Sequence, residues 1–126
     1  MRQIKSVDTK PEVEVCQVIR TMKYKFSLHH AGLPGKPDIV LVRSKKVIEV
    51  RGCFWHQHKD CIDSHIPKTK VAYWGPKLRR NVERDIRNLK ELKKLGWRVL
   101  IIWECQVKNS NLQHLKRRLE TFLDSH

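Results

Sequence analysis

Residues 97–103, "WRVLIIW", form a nearly unbroken apolar run. A strand that is apolar at successive positions has no face for water, and this is the signature of a central, buried strand. Whatever surrounds it must present amphipathic elements. Upstream, "GPKLRRNVERDIRNLKELKKLG" sets Leu78, Val82, Ile86, Leu89 and Leu92 on one helical face, with Gly96 as the stop. Downstream, "NLQHLKRRLETFL" puts Leu112, Leu115, Leu119 and Phe122 on the inner face of a closing helix.

The N-terminal half is read in the same way. "DTKPEVEVCQVIRTMKYKF" opens with cap chemistry. Asp8 or Thr9 can cap, Pro11 suits a first turn, and Glu12 stands three residues after Thr9. Val15, Val18, Ile19 and Met22 then share a face. "HHAGLPGKP" is a loop, because two glycines and two prolines forbid regular structure. "DIVLV" and "KVIEVR" are strands of a hairpin around "RSKK". Residues 52–73 have no period and are too long for a bare loop, so something must order them. The predicted order is αββ–loop–αβα in a single domain spanning residues 1–126, a length that suits one core but not two.

Lys and Arg number 27 against 13 Asp and Glu, a net charge of +14 spread from Lys5 to Arg118. Such an excess on a folded surface points to a polyanion, with nucleic acid ahead of an acidic membrane surface. No apolar run is long enough to span a membrane, and "MRQIKSVDTK" lacks the apolar core of a signal peptide. A cytoplasmic protein with reduced cysteines is expected, and its four cysteines read as metal ligands or core residues.

"PGKPD" followed by "EVR" carries nuclease chemistry. Asp38 begins one strand, and Glu49 and Arg51 lie two apart on the next, facing one way. Two carboxylates on neighbouring strands can share Mg²⁺, and a basic group beside them can stabilise charge on a phosphate. The competing account is a surface salt bridge between Glu49 and Arg51. The next stretch, "GCFWHQHKDC", holds Cys53, His56, His58 and Cys61 within nine residues, and Cys105 follows the apolar strand. Cys53, His58, Cys61 and Cys105 would make a closed Cys₃His set of the kind that holds structural zinc. Otherwise Cys105 is a core thiol and the histidines are polar loop residues. His56, left over, could take a proton from an attacking water or serve as another zinc contact. Cys16 lies near the apolar face of the first helix and reads as core. Phe54 with Trp55, and Tyr73 with Trp74, either stack on bases or pack the loop down. Trp97 and Trp103, at the ends of the apolar strand, read as core.

Together, "TKPE", "LPGKPD", "GCFWHQH", "NVERD" and "LGWRVLIIWEC" resemble the very short patch repair (Vsr) mismatch endonucleases, over most of the chain. The resemblance implies a restriction-endonuclease-like α/β fold in three layers, a central mixed sheet flanked by helices with a structural zinc loop. It implies Mg²⁺-dependent nicking of double-stranded DNA 5′ to a T mispaired with G. Asp38 matches the metal-binding carboxylate, His56 the catalytic histidine and Glu12 an active-site glutamate. Val50 matches a second metal contact made through its backbone carbonyl. Cys53, His58, Cys61 and Cys105 match the zinc ligands, although "KD" between His58 and Cys61 is one residue longer than the family's pattern. Phe54, Trp55 and Trp74 match aromatics that wedge into DNA, Met1 and Ile4 match residues of the opposite groove, and Asn81 and Arg84 fall in the segment facing the active site. Glu49 and Arg51 depart towards the general nuclease pattern, which leaves Glu49 as a direct ligand or a neighbour of the metal. Mismatch-repair proteins as further partners, a monomer, and a bacterial cytoplasm with the enzyme at the nucleoid complete the expectation. Two rivals remain: a restriction-type nuclease that cuts matched DNA, and a zinc-stabilised DNA-binding module without catalysis.

Overall fold

The structure, a computed structural model, describes residues 10–30, 32–59, 61, 64–109 and 112–125. The capping residues Asp8 and Thr9, and with them Met1 and Ile4, lie outside these described residues. The elements are α1 (Lys10–Thr21), β1 (Ser27–Leu28), β2 (Ile39–Leu41), β3 (Lys46–Arg51), a 3₁₀ turn (Lys68–Lys70), α2 (Val71–Lys94), β4 (Arg98–Trp103), α3 (Glu104–Asn109) and α4 (Leu112–Asp124).

The strands form one mixed sheet in the order β1-β2-β3-β4. β1–β2 and β2–β3 are antiparallel, while β3–β4 are parallel, from Lys46 opposite Arg98 to Arg51 opposite Trp103. The parallel pair needs a crossover, which α2 and the loop before it provide. Alternation along the strands sends one set of side chains to each face. Ile39, Leu41, Ile48 and Ile102 pack with Val15, Val18, Ile19, Leu115, Leu119 and Leu123 of α1 and α4. On the other face Val40 and Val47 pack with Leu92 of α2, and Leu33, Trp97 and Val99 close around them.

Several local expectations change. The apolar strand is β4, and it lies at the sheet's edge rather than its centre. Its apolarity reflects helices over both faces, not neighbours on both edges. Helix α2 begins at Val71 and takes in Tyr73 and Trp74, with Pro76 inside it. Pro76 lies past the first turn, so it removes the N–H that would otherwise bond Ala72 O, a lost bond that the rest of this long helix carries. Ile86 is 52 % exposed, while Leu78 and Leu92 are buried. Val82 and Leu89 are half-buried, and Asn81, Asp85 and Asn88 share the inner stripe with them. Gly96 does end α2, at φ +90°, with Trp97 N–H bonding Leu92 O and Gly96 N–H bonding Lys93 O. That paired pattern needs a left-handed residue and favours glycine. Strand β1 and helix α3 are short elements that the periodicity did not announce.

Lys46 was not foreseen as a structural residue. It is 3 % exposed, and its Nζ donates to Leu123 O at 2.8 Å and Ser125 O at 2.5 Å. It thus caps the C-terminal end of α4 from the start of β3, where a cation meets unsatisfied carbonyls and the negative end of the helix dipole. Lys46→Met keeps the stem and removes the charge. It is expected to lower unfolding free energy by about 1–3 kcal/mol in urea titrations and to loosen α4 first, seen as faster amide exchange over residues 112–124.

Candidate active site and metal centre

The register of β3 against β4 builds the first cluster. Arg51 stands opposite Trp103, so two residues further on Cys53 and Cys105 leave the sheet side by side. The Cys105 N–H approaches Cys53 Sγ at 3.4 Å. His58 returns to the same point, its Nδ1 3.7 Å from Cys53 Sγ and 3.4 Å from Cys105 Sγ. Its backbone N–H bonds Cys53 O at 2.9 Å, and its ring stacks on Trp103 at 4.1 Å between centroids. Cys61 completes the set, and the four ligand atoms lie within 4.8 Å of one another. A tetrahedral zinc with bonds of about 2.3 Å to sulfur and 2.0 Å to nitrogen sets S···N edges of about 3.6 Å. The donors therefore already have the spacing of a metal site, and the sulfur-rich set could hold a zinc ion. Burial pushes the Cys53 thiol up to about 12, the side chains of Cys105 and Cys61 adding to the rise and the Cys105 N–H opposing it. A cation among the sulfurs would reverse that preference. The rest of the loop is held by Gln57, whose Nε2 donates to Phe54 O and Ser64 O, and by Ser64 Oγ donating to Cys61 O. No disulfide links the cysteines, and Cys16 is buried in the main core.

The carboxylates gather beside the last residues of β3, the end of the strand that leads into this loop. Asp38 enters from the "LPGKP" loop, which runs close against α2: a Cβ on Gly35 would meet Asn88 Nδ2 at 3.0 Å. Asp38 Oδ2 accepts the Val50 N–H at 2.7 Å, and the His29 N–H bonds Asp38 O at 3.0 Å. Glu12, in the first turn of α1, is 3 % exposed, and its Oε1 lies 2.9 Å from His29 Nε2. Glu12, His29 and Asp38 bring one ligand atom each to within 4.8 Å of the others. Burial raises the Asp38 carboxyl to about 6; the Val50 N–H opposes this, and the nearby charges of Glu12 and Glu49 add to it.

Glu49 stands beside this group rather than in it. Arg51 Nε and Nη2 both donate to Glu49 Oε1, at 3.2 and 3.0 Å, and both side chains are buried. The Arg51 guanidinium also lies over Trp103, 5.8 Å from the ring centroid. Glu49 Oε2 is buried with no hydrogen-bond partner among the described residues.

His56 closes the turn after β3, its N–H bonding Gly52 O at 3.1 Å. Its Nδ1 lies 2.6 Å from Asp85 Oδ2. A carboxylate on Nδ1 orients the ring and favours the tautomer in which Nε2 is the acceptor. Asn81, one turn earlier on α2, donates to Trp55 O at 3.1 Å. Trp55 and Trp74 each meet Phe54 edge-on, at 5.5 and 5.2 Å, and each other at 5.5 Å. Tyr73 extends the group at 4.9 Å from Trp74, under the Lys77 ammonium 4.3 Å from its ring. The rings thus pack on one another while remaining half-buried or exposed. Arg84 is exposed on α2 next to Asp85.

Two side chains at the site went unread. Asp85 sits within "NVERD" four residues after Asn81, so helical spacing places the two on one stripe. His29 gave only a histidine in a Gly/Pro loop.

The Asp38 shift has a consequence for the protein without added divalent cation. A carboxyl near 6 when folded and about 4 when unfolded binds its proton more tightly in the fold, so stability falls as pH rises from 4 to 6. Asp38→Asn cannot ionise. At pH 7 it is expected to be more stable than wild type by about 1–3 kcal/mol in urea titrations, and the gap is expected to close by pH 4.

The profile of the family described as DNA mismatch endonuclease Vsr matches residues 1–63. DNA mismatch endonuclease Vsr of Escherichia coli is 38 % identical over 126 residues, covering 98 % of this chain and 80 % of that protein. The type II nicking enzyme V.XorIIP of Xanthomonas oryzae pv. oryzae is 41 % identical over 124 residues, covering 98 % of this chain and 89 % of the relative. The type II nicking enzyme V.NmeAIP of Neisseria meningitidis is 39 % identical over 127 residues, covering 99 % and 90 %. With its mixed sheet between helices and its Cys/His cluster, this chain belongs to the Vsr family and is a DNA endonuclease.

Proposed function

We propose that residues 1–126 act as one Mg²⁺-dependent domain that nicks double-stranded DNA 5′ to the T of a T:G mismatch, the first step in repairing deaminated 5-methylcytosine. The observation that carries this reading is the convergence of buried Glu12 and half-buried Asp38 beside Val50 of β3, with a histidine held by Asp85 on the loop that follows that strand. Hard carboxylate oxygens suit Mg²⁺. Asp38, Glu12 and the backbone carbonyl of Val50 would hold it, and when bound it supplies Lewis-acid neutralisation of charge on the scissile phosphate. Glu49 offers its remaining oxygen, Oε2, towards the same cation. Arg51 is assigned to holding Glu49, since both its bonding nitrogens are engaged there and the side chain is buried. His56 takes a proton at Nε2 from the attacking water while Asp85 holds Nδ1.

Cys53, His58, Cys61 and Cys105 would hold a structural Zn²⁺, because four protein ligands leave no open position. Phe54, Trp55 and Trp74 form the wedge at the mismatch, with Asn81 bracing Trp55 through its carbonyl and Arg84 facing the DNA backbone. Met1 and Ile4 are assigned to the opposite groove. The enzyme works as a monomer in the bacterial cytoplasm, at the nucleoid, and hands nicked DNA to mismatch-repair proteins. A second reading, a nuclease that cuts matched DNA, is favoured by the Glu49–Arg51 pair and its likeness to restriction nucleases.

Nicking of otherwise identical T:G and T:A duplexes separates these readings: cleavage of T:G alone is expected, and equal cleavage of both would establish the second. Asp38→Ala is expected to reduce nicking of the T:G duplex to background in Mg²⁺ while gel-shift affinity stays within about threefold, since phosphate contacts dominate binding. Undiminished cleavage would remove Asp38 from the mechanism. The zinc reading predicts one zinc per purified chain by atomic absorption. Cys105→Ala is expected to lose that zinc and to unfold at a markedly lower temperature, because metal-binding energy is folding energy in such a loop.

A further inference from the structure

The cluster ahead of β2 contains a nitrogen. Glu12, His29 and Asp38 come from α1, the end of β1 and the start of β2, and their ligand atoms converge to within 4.8 Å. His29 Nε2 lies 2.9 Å from Glu12 Oε1. An octahedral cation with bonds of about 2.1 Å has neighbouring ligand atoms about 3.0 Å apart, so this spacing fits one edge of a coordination shell as well as an ion pair. The His29 ring is held by its own backbone. His29 has φ +49°, a left-handed conformation uncommon for a side-chain-bearing residue, and its N–H is tied to Asp38 O at 3.0 Å. The strand pairing of β1 with β2 therefore delivers an imidazole to the two carboxylates instead of letting it swing into solvent.

Donor type selects the cation. Mg²⁺ binds oxygen and gains little from imidazole, whereas divalent first-row transition ions accept imidazole readily. A set of two carboxylates and one imidazole with room for water suits the second class. We infer that His29 is a cation ligand and that Glu12, His29 and Asp38 form a site for a divalent transition ion, with Mn²⁺ held more tightly than Mg²⁺. This rests on the cation site of the function proposed above and names the class of ion that fills it. Activity with Mg²⁺ is compatible with it, since the carboxylates alone satisfy a hard ion.

The test reads the bound ion directly. Zinc-loaded full-length protein is titrated with Mn²⁺, free Mn²⁺ is followed by electron paramagnetic resonance, and Mg²⁺ is added as competitor. The expected result is one Mn²⁺ site at least about tenfold tighter than Mg²⁺. Pulsed measurements on bound Mn²⁺ are expected to show coupling to a single imidazole nitrogen. His29→Gln is expected to lose that coupling and about tenfold in Mn²⁺ affinity while Mg²⁺ affinity stays within about twofold. Should His29→Gln fail to fold, wild-type protein with ¹⁵N-labelled histidine still reports the coupling. Bound Mn²⁺ without nitrogen coupling, or equal affinity for the two ions, would overturn the assignment. Nicking assays keep the two proposals apart: nitrogen-coupled Mn²⁺ with no nicking of a T:G duplex sinks the function and leaves the ligand, and nicking without nitrogen coupling does the reverse.

Discussion

The parallel pairing of β3 with β4 is the constraint on which the site depends. It sets Arg51 opposite Trp103, so the chain leaves both strands at the same level. Cys53 and Cys105 meet there although more than fifty residues separate them. Trp103, the last residue of β4, then carries His58 stacked on its ring and the Arg51 guanidinium near it. A slip of one residue would turn every side chain of one strand to the other face and separate the cysteines. Packing on both faces prevents the slip, because Ile48 and Ile102 belong to one core and Val47 and Val99 to the other. The Cys/His cluster is thus a consequence of sheet register as much as of local spacing.

Helix α2 has a second duty beside crossover. Its inner stripe is apolar at both ends, Leu78 and Leu92, and polar between, where Asn81, Asp85 and Asn88 face the loops. Each polar residue fixes a different segment. Asn81 takes the Trp55 carbonyl, Asp85 takes His56, and Asn88 lies where any side chain at position 35 would have to be. The mixed stripe explains why the helix is long yet buries few residues completely. It packs on the loops that hold the candidate site residues, and polar partners orient such loops more specifically than apolar contact does.

This division also marks what was legible in the chain. The helix faces of α1 and α4 could be read because 3.6-residue periodicity reports burial directly. The hairpin of β2 and β3 followed from alternation and turn residues, and Cys53, His58, Cys61 and Cys105 from spacing. The edge position of β4 could not be read, because a strand covered on both faces looks the same in composition at an edge or a centre. Ile86 reads as inward because it is apolar, yet it is exposed; the inner stripe runs through Asn81, Asp85 and Asn88, which periodicity scores as solvent positions. His29 and Lys46 act through contacts to α1 and α4 that are far away in sequence. Neither lies in a pattern, so only the fold could pair them.

Charge ties these parts to function. The chain carries +14, and Lys and Arg are mostly exposed on its surface. Its buried acids among the described residues, Glu12 and Glu49, lie close enough to Asp38 to act on its carboxyl. The long-range field therefore draws a phosphate backbone in, while the local field of these carboxylates repels any phosphate brought against them. A divalent cation bound among those carboxylates, as proposed above, would reverse the local sign. Cation and DNA must then favour each other's binding, by the same factor in both directions, since linkage between two ligands is reciprocal. With the proposed cation site, the buried acids would make productive docking depend on the cation, so a strongly basic protein would ride non-specifically on DNA without cutting wherever it lands.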